Sequence, residues 1–469
     1  MVLLAPIFPN SVASISAAVL LLIGSALLWR PGESPVLLFV FGFQWLQIST
    51  AIFYASWNGL SMNEFSRTHG DMQTAATLSL IGLLLLSCSM RFGAGASRPK
   101  DKEIAKLSVL RHPTKNWFAL YVAAYLVAIL CQVMALVVPG LSQPLLAMAT
   151  LKWAFFLMLT YSAFSADGVR TYWLMAFAVE LVSSLGSYFS DFKTVFFFTI
   201  FGLVAAQVRF SARVYITAAA LAALLLTMAV IWTEIKPEYR KFASGGKAAQ
   251  VVTVGFSERV SKLGELASNM DAAAFSDGVD RLIERLAYID FFAAVIDYVP
   301  SVVPYQGGAI WWDAITRPFT PRILFPGKTA IDDSIETNRY TGLRLPGADK
   351  GVSIAIGYMA ETYIDFGALG MMPVLAAFGY FLGRIHRHFM SSSRSRGLLG
   401  MGLASAIVSV AGEFESSILR SVGGIIVMLL VSWLLSWFVI PKYAPWVVEH
   451  EGKQRGRTSG ARGFAETRA

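Results

Sequence analysis

Apolar runs long enough to cross a membrane recur along most of the chain. A spanning helix needs about 20 such residues, because the hydrocarbon core of a bilayer is about 30 Å thick. The pattern predicts about eleven transmembrane helices, near residues 11–29, 35–54, 73–90, 116–138, 146–165, 170–187, 193–208, 212–233, 368–387, 396–412 and 421–440. We therefore expect an all-α polytopic membrane protein.

The predicted spans divide the chain into four parts. Residues 1–233 hold transmembrane helices 1 to 8, and residues 234–352 form one large extracytoplasmic loop. Residues 353–441 hold an interface segment and helices 9 to 11, and the polar, basic residues 442–469 form a tail that we expect to be disordered. Long loops in membrane proteins usually carry function, so the loop is the place to look for a site.

Apolar positions inside this loop recur at helical spacing. They are Val279, Leu282, Ile283, Leu286 and Ala287, and a very apolar segment follows them. This pattern predicts an amphipathic helix that lies against the membrane surface or against the helix bundle.

Composition supports the membrane assignment. The 469 residues are 55% hydrophobic and 15% charged, with a mean hydropathy of +0.57, which is far too apolar for a soluble fold of this length. The net charge of +9 is typical of a membrane protein whose Lys and Arg face anionic lipid, so we expect membrane lipids and no nucleic acid as partners. Cys88 and Cys131 both fall in apolar runs, where we expect neither a disulfide nor a metal cluster.

Basic residues give the orientation. Seven of them lie between the third and fourth predicted helices, at Arg91, Arg98, Lys100, Lys102, Lys106, Arg111 and Lys115. Positively charged connections stay in the cytoplasm. Successive loops then alternate between the two sides of the membrane. This predicts an inner-membrane protein with a periplasmic N-terminus, a cytoplasmic C-terminus and a periplasmic large loop.

Ionisable residues are few inside the predicted spans. Lys152 lies in the fifth predicted span and Glu180 in the sixth. Because ionisable side chains are costly in lipid, they usually face a partner or the interior of the bundle. We expect these two side chains to pair.

The chain contains no phosphate-binding Gly-Lys-Ser/Thr loop, no dinucleotide fingerprint and no His/Glu zinc motif, so we expect no cofactor. The large loop instead carries cations suited to a diphosphate, because guanidinium and ammonium groups both bind phosphate oxygens. Five of them are the candidate diphosphate ligands Arg240, Arg281, Arg285, Arg322 and Lys328, and Arg317 is a sixth cation of this segment. The alternative is that they form surface ion pairs with neighbouring acids such as Glu238, Glu284 and Asp313.

Residues 318–328 have the sequence Pro-Phe-Thr-Pro-Arg-Ile-Leu-Phe-Pro-Gly-Lys. This segment resembles the large periplasmic loop of the O-antigen and exopolysaccharide repeat-unit polymerases, which belong to the glycosyltransferase C superfamily. The resemblance covers about residues 234–387 together with the helix layout, although Gly327 and Thr329 stand where that family usually has Asp and Pro. Further matches are Tyr239-Arg240, the Arg-rich helix, Ser353, Gly357, Glu361, Tyr363, Phe366-Gly367 and Gly370.

The resemblance implies a metal-free enzyme that joins polyprenyl-diphosphate-linked oligosaccharides outside the membrane, with the lipid diphosphate as leaving group. A chain-length regulator and a flippase of the same pathway are implied partners. The cations and Tyr363 are then substrate-binding residues, and Glu361 is the candidate general base. Glu361 also suits a purely structural place at a helix N-terminus, and Asp365, Glu413, Glu415 and His69 are the other candidates.

Two alternative functions compete with a polymerase. A ligase that transfers a finished glycan to another acceptor differs from a polymerase only in its acceptor, which the sequence does not name. A flippase would be expected to place its charges inside the bundle and to keep its loops short, whereas this chain has a loop of over a hundred residues, 234–352.

Overall fold

Helices form the regular structure of the described part of the chain. The computed structural model describes residues 9–96, 113–165, 168–185, 192–207, 212–246, 252–320, 325, 327, 332–347, 353–391 and 398–438. Its α-helices are α1 (Ser11–Leu28), α2 (Val36–Trp57), α3 (Met62–Phe65), α4 (Met72–Ala94), α5 (Thr114–Val137), α6 (Ser142–Thr150), α7 (Lys152–Ala163), α8 (Arg170–Leu185), α9 (Lys193–Ala205), α10 (Ala212–Ala243), α11 (Phe256–Ser268), α12 (Ala272–Leu286), α13 (Ile289–Tyr298), α14 (Ala309–Thr316), α15 (Asp333–Thr341), α16 (Tyr358–Ser391), α17 (Leu398–Val408) and α18 (Ile418–Phe438). The predicted all-α class is confirmed.

Seven helical segments among the described residues are long and apolar enough to cross a membrane. They are α1, α2, α4, α5, α16, the continuous segment Ser142–Ala163 made of α6 and α7, and Ile418–Leu435 within α18. Two shorter apolar helices, Lys193–Ala205 and Leu399–Gly412, accompany them. Helices of this length and apolarity are compatible with a membrane protein, whereas the full count of eleven spans stays a prediction.

Two helices extend beyond the predicted spans. α10 continues to Ala243, ten residues past the predicted end at 233, and α16 begins at Tyr358, ten residues before the predicted start at 368. Gly367 interrupts α16 with φ 69° and ψ −178°. A Cβ at this position would lie 3.1 Å from the ring of Tyr305, so both backbone and packing require glycine. The break coincides with the predicted start of the span.

Several connections meet at one end of the bundle, which we call the loop end. Arg67, in the connection before α4, pairs with Glu284 of α12 at 3.1 Å. Lys193, at the start of α9, pairs with Glu413, after α17, at 2.7 Å. All four residues lie in or beside connections that alternation predicts to be on the same side of the membrane.

Other connections meet at the opposite end. Arg30, just after α1, donates a hydrogen bond to the Gly95 carbonyl, just after α4, at 2.8 Å. The Val169 backbone N–H, before α8, donates to Thr114 Oγ1, at the start of α5, at 3.2 Å. The same alternation of loops predicts that all of these connections lie on the other side of the membrane. The contacts therefore divide the connections into two groups, as expected when successive loops alternate between the two sides.

The predicted pairing of Lys152 with Glu180 is confirmed. The Lys152 Nζ atom lies 2.6 Å from a Glu180 carboxylate oxygen, and the Tyr121 hydroxyl donates to the other oxygen at 2.9 Å. The ammonium also lies 5.0 Å and 4.9 Å from the ring centroids of Tyr125 and Trp153. Removing either charge alone would leave its partner buried and uncompensated, so the pair fixes α7 against α8.

The amphipathic helix expected near residues 279–287 is α12, which packs on the bundle. Gly278 faces α10, because a Cβ there would lie 3.1 Å from Val230. Asp280 accepts a hydrogen bond from the Tyr54 hydroxyl of α2 at 3.0 Å. The predicted tail, residues 442–469, lies outside the described residues.

The two ends should face opposite sides of the membrane. We expect Ser268→Cys, at the loop end, to react with a membrane-impermeant maleimide in intact cells, and Ser391→Cys, at the end of α16, to react only after permeabilisation. Both positions are exposed serines, which matches the two variants for reactivity. The measurement uses a chain in which Cys88 and Cys131 are replaced by alanine. Equal labelling of both positions in intact cells contradicts the arrangement.

Candidate functional site

Six ionisable side chains from four parts of the chain lie within electrostatic range of one another at the loop end. We call them the charged cluster. They are Lys193 at the start of α9, Lys236 and Arg240 on α10, Arg285 near the end of α12, and Glu413 and Glu415 in the connection before α18. Four cations and two carboxyl groups therefore share one region.

Helix spacing and one ion pair position three of the cations. Lys236 and Arg240 are four residues apart on α10, so they lie on the same face one turn apart. The Lys193 ammonium lies 2.7 Å from a Glu413 carboxylate oxygen and 5.6 Å from the ring centroid of Phe43. This ion pair ties α9 to the connection before α18, and so fixes one side of the charged cluster.

Lys236 lies in surroundings that disfavour its charged form. It is half-buried on α10, just beyond the end of the predicted span. Desolvation, together with the positive charges of Arg285 and Arg240, lowers the pKa of Lys236 to about 7. An ammonium in such surroundings gains from any anion that neutralises the neighbouring charges.

Two of the cations lack protein partners. Within the described residues, the side chains of Lys236 and Arg285 have neither a hydrogen bond nor an ion pair. Arg285 is exposed, so an anion from outside the protein can reach it. The pair is therefore available to bind a ligand with two or more negative charges.

The two carboxyl groups differ in their protonation behaviour. The positive charge of Lys193 holds the pKa of Glu413 below its usual range. Desolvation and the negative charge of Glu413 raise the pKa of Glu415. Glu415 has no hydrogen bond or ion pair among the described residues, so its carboxyl group is available to accept a proton.

Glu361 lies in the first turn of α16 and is buried, with 7% of its surface exposed. One carboxylate oxygen accepts a hydrogen bond from the backbone N–H of Ile418, the first residue of α18, at 2.5 Å. The side chain therefore anchors the start of α18, directly after the connection that carries Glu413 and Glu415.

Tyr288 connects Glu361 with the charged cluster. Its phenol lies within electrostatic range of Glu415, Arg285 and Glu361, and it donates a hydrogen bond to the Ala355 carbonyl. Desolvation raises the pKa of Tyr288. The tyrosine is therefore a neutral hydrogen-bonding group between the two candidate carboxyl groups.

A polar network supports the connection before α18. Asp333 of α15 pairs with Arg420 at 2.6 Å and accepts a hydrogen bond from the Ser353 hydroxyl at 3.0 Å. At Gly357, with φ 91°, a Cβ would lie 2.6 Å from the Phe414 carbonyl oxygen, so only glycine allows this approach. Ser353 and Gly357, both part of the resemblance, thus help to place the residues on either side of Phe414.

The other predicted site residues lie elsewhere. Arg281, one turn before Arg285, pairs with Glu234 at 2.9 Å with half of its side chain exposed. The Tyr363 hydroxyl donates to the Val299 carbonyl at 3.3 Å. The structure therefore brings Arg240 and Arg285 close to Lys236, which the sequence analysis did not identify. Arg281 and Tyr363 make separate contacts outside the charged cluster.

Arg322 and Lys328, which carry the resemblance motif, lie outside the described residues.

Of the remaining acid and base candidates, Asp365 accepts hydrogen bonds from the backbone N–H groups of Ile310 and Trp311, at 3.2 Å and 2.9 Å. Asp365 thus caps α14. His69 is exposed, with φ 59°.

Sequence reasoning missed Lys193 and Lys236. The spacing of four residues between Lys236 and Arg240 is a signal that could have identified Lys236. Lys193 gave no such signal, because its partner Glu413 is distant in the sequence.

The charged cluster suits a diphosphate ligand. Four cations can neutralise its charge through charge-assisted hydrogen bonds, and a carboxyl group with a raised pKa can accept a proton beside it. In the described part of the chain, no three His, Cys, Asp or Glu residues converge in a way that could hold a metal ion.

Residues 34–391 match a protein family described as a domain of unknown function, DUF8712. No curated protein and no solved structure matches the chain. The matched segment includes Lys193, Lys236, Arg240 and Arg285.

Lys236 should react as a neutral amine at unusually low pH. We expect its acylation rate in the purified protein to rise with a midpoint near pH 7, because the ammonium loses its proton there. Arg285→Gln should move the midpoint upward by removing a positive charge, and Glu415→Gln should move it downward by removing a negative one. Peptide mass spectrometry measures the rate. A midpoint near the ordinary lysine value of about 10.4 would show that the cluster does not form.

Proposed function

We propose that this chain, which belongs to the DUF8712 family, is a membrane glycosyltransferase that polymerises polyprenyl-diphosphate-linked oligosaccharide repeat units into O-antigen or exopolysaccharide. The observation that carries the proposal is the charged cluster, which gathers four cations and a proton-accepting carboxyl group at one end of a bundle of membrane-length helices. The resemblance around residues 318–328 names the reaction class.

The cations hold the donor and stabilise its leaving group. Lys236 and Arg285, which lack partners among the described residues, contact the diphosphate oxygens, and Arg240 and Lys193 add to the local positive charge. As the bond between the sugar C1 and the phosphate oxygen breaks, its electron pair leaves on the diphosphate. Preorganised cations stabilise that charge where it develops.

The acceptor hydroxyl must lose its proton as its oxygen bonds to C1. The surroundings of Glu415 favour it as the base, because its pKa is raised, it has no hydrogen bond among the described residues, and it adjoins the cations. Glu361 remains the second candidate. Its position at the N–H of Ile418 suits a residue that holds α18 in place.

The proposal places the charged cluster at the periplasmic face of a bacterial inner membrane. Eleven spans, a periplasmic N-terminus and a cytoplasmic C-terminus give this orientation. Two observations support it. The contacts group the connections into two ends, and Arg91 and Lys115, the two described members of the basic set between the third and fourth predicted helices, lie at the end away from the charged cluster. The flippase and the chain-length regulator of the pathway are the proposed partners.

A ligase remains the second candidate, because transfer of a finished glycan uses the same donor and leaving group. A flippase is less well supported. A flippase would be expected to place its available charges inside the bundle. Among the described residues, Lys152 and Glu180 within the predicted spans are paired with each other, whereas Lys236 and Arg285, which have no partner, lie at the loop end.

Loss of Arg285 should impair polymerisation. In a deletion strain that expresses Arg285→Ala, we expect polymer formation to fall roughly 10- to 100-fold, because one contact to a charged group contributes about 1.5 to 3 kcal/mol. Arg281→Ala, one turn earlier on α12, is the matched control and should stay near the wild-type level, since Arg281 is engaged with Glu234. Glycan gels of the two strains measure the effect. Equal loss in both variants contradicts this site.

The same strains separate the candidate functions and the candidate bases. Single repeat units without long chains in the deletion strain indicate a polymerase, and polymer retained on the lipid carrier indicates a ligase. Glu415→Gln should slow polymer formation roughly 10²- to 10⁴-fold, as expected for a lost general base. If Glu361→Gln alone has that effect, at normal protein abundance, then Glu361 is the base.

A further inference from the structure

A cavity of about 490 Å³ lies between the C-terminal parts of α4 and α16, at the end of the bundle away from the charged cluster. We call it the arginine pocket. It is lined by Arg91, Arg384 and Arg387, by the aromatic residues Phe92 and Tyr380, and by Cys88. Its volume is within the range of small-molecule binding sites, which are roughly 300 to 1,000 Å³.

Close helix packing holds the arginine pocket. A Cβ at Gly379 would lie 2.4 Å from the Leu86 carbonyl oxygen, and one at Gly383 would lie 2.2 Å from that of Met90. The two glycines, four residues apart, let α16 approach the backbone of α4, as small residues do between membrane helices. The pocket therefore lies beside two closely packed helices.

The arginine pocket has a large excess of positive charge. No acidic residue is among its described lining residues. The guanidinium groups of Arg384 and Arg387 have no hydrogen bond or ion pair in the described ranges, whereas Arg91 donates to the Gly95 carbonyl. The nearby Arg30 is already neutralised, since it pairs with Glu33 at 2.7 Å. Arg384 is exposed and Arg387 is half-buried, so both guanidinium groups are accessible to an anion from outside the protein.

The surroundings of the arginine pocket identify the source of that anion. The pocket lies at the ends of two helices that can each span a membrane. Phe92 is 79% exposed, and its ring centroid lies 5.8 Å from that of Tyr380, which is also exposed. Exposed aromatic rings at a helix end are typical of the membrane interface, where lipid headgroups lie.

We propose that the arginine pocket binds the phosphate group of an anionic membrane lipid. Arg384 and Arg387 hold the phosphate, and the acyl chains run past Phe92 into the bilayer. Basic pockets between transmembrane helices at the cytoplasmic side are suited to such headgroups. This site is independent of the charged cluster and of the proposed polymerase activity.

Cys88 offers a native reporter of occupancy, because it lines the pocket and is exposed while Cys131 is buried. In delipidated full-length protein, phosphatidylglycerol should slow alkylation of Cys88 by roughly tenfold or more, as expected for a ligand held by charge-assisted hydrogen bonds. Phosphatidylcholine at the same concentration should leave the rate unchanged. Mass spectrometry of the modified peptide gives the rate, and native mass spectrometry counts bound lipid.

Variants assign the protection to the pocket. The double variant Arg384→Gln with Arg387→Gln should lose it, whereas Arg339→Gln, an exposed arginine of α15, should keep it. Should the double variant fail to fold, the two single variants carry the same test. Equal protection by both lipids, or full protection in the folded double variant, overturns the proposal. Protection by inorganic phosphate as strong as that by phosphatidylglycerol also overturns it, because the ligand would then be a soluble anion.

Discussion

The cost of an unpaired charge in lipid governs where this chain places its ionisable residues. Inside the predicted spans, Lys152 and Glu180 meet at 2.6 Å, and the Tyr121 hydroxyl satisfies the second carboxylate oxygen. The charged cluster and the arginine pocket both lie near helix ends, where water and lipid headgroups reduce that cost. Among the described residues, the cations without protein partners in these two regions therefore lie where a phosphate group can reach them.

The two cationic regions differ in one respect that separates their chemistry. The charged cluster includes Glu413, whose pKa is lowered by Lys193, and Glu415, whose pKa is raised by desolvation and by Glu413. The arginine pocket has no carboxyl group among its described lining residues. Binding and proton transfer can thus occur together in the first region, whereas the second is suited to binding alone.

The sequence was sufficient for the features that depend on local pattern. Long apolar runs predicted the all-α membrane class, and the scarcity of charge in those runs predicted the pairing of Lys152 with Glu180. It was not sufficient where distant segments meet. Nothing local reveals that Lys193 pairs with Glu413, or that Arg281 is engaged with Glu234 while Arg285, one turn away, is not.

We propose that the charged cluster binds a lipid-linked diphosphate and transfers its glycan. Reconstitution of the purified protein in proteoliposomes, with polyprenyl-diphosphate-linked repeat units as the sole substrate, tests this most directly. We expect products of two and more units, with one free lipid diphosphate for each new glycosidic bond, and a large loss of both products for Glu415→Gln. Substrate that stays unextended, or that only changes membrane leaflet, would contradict the account.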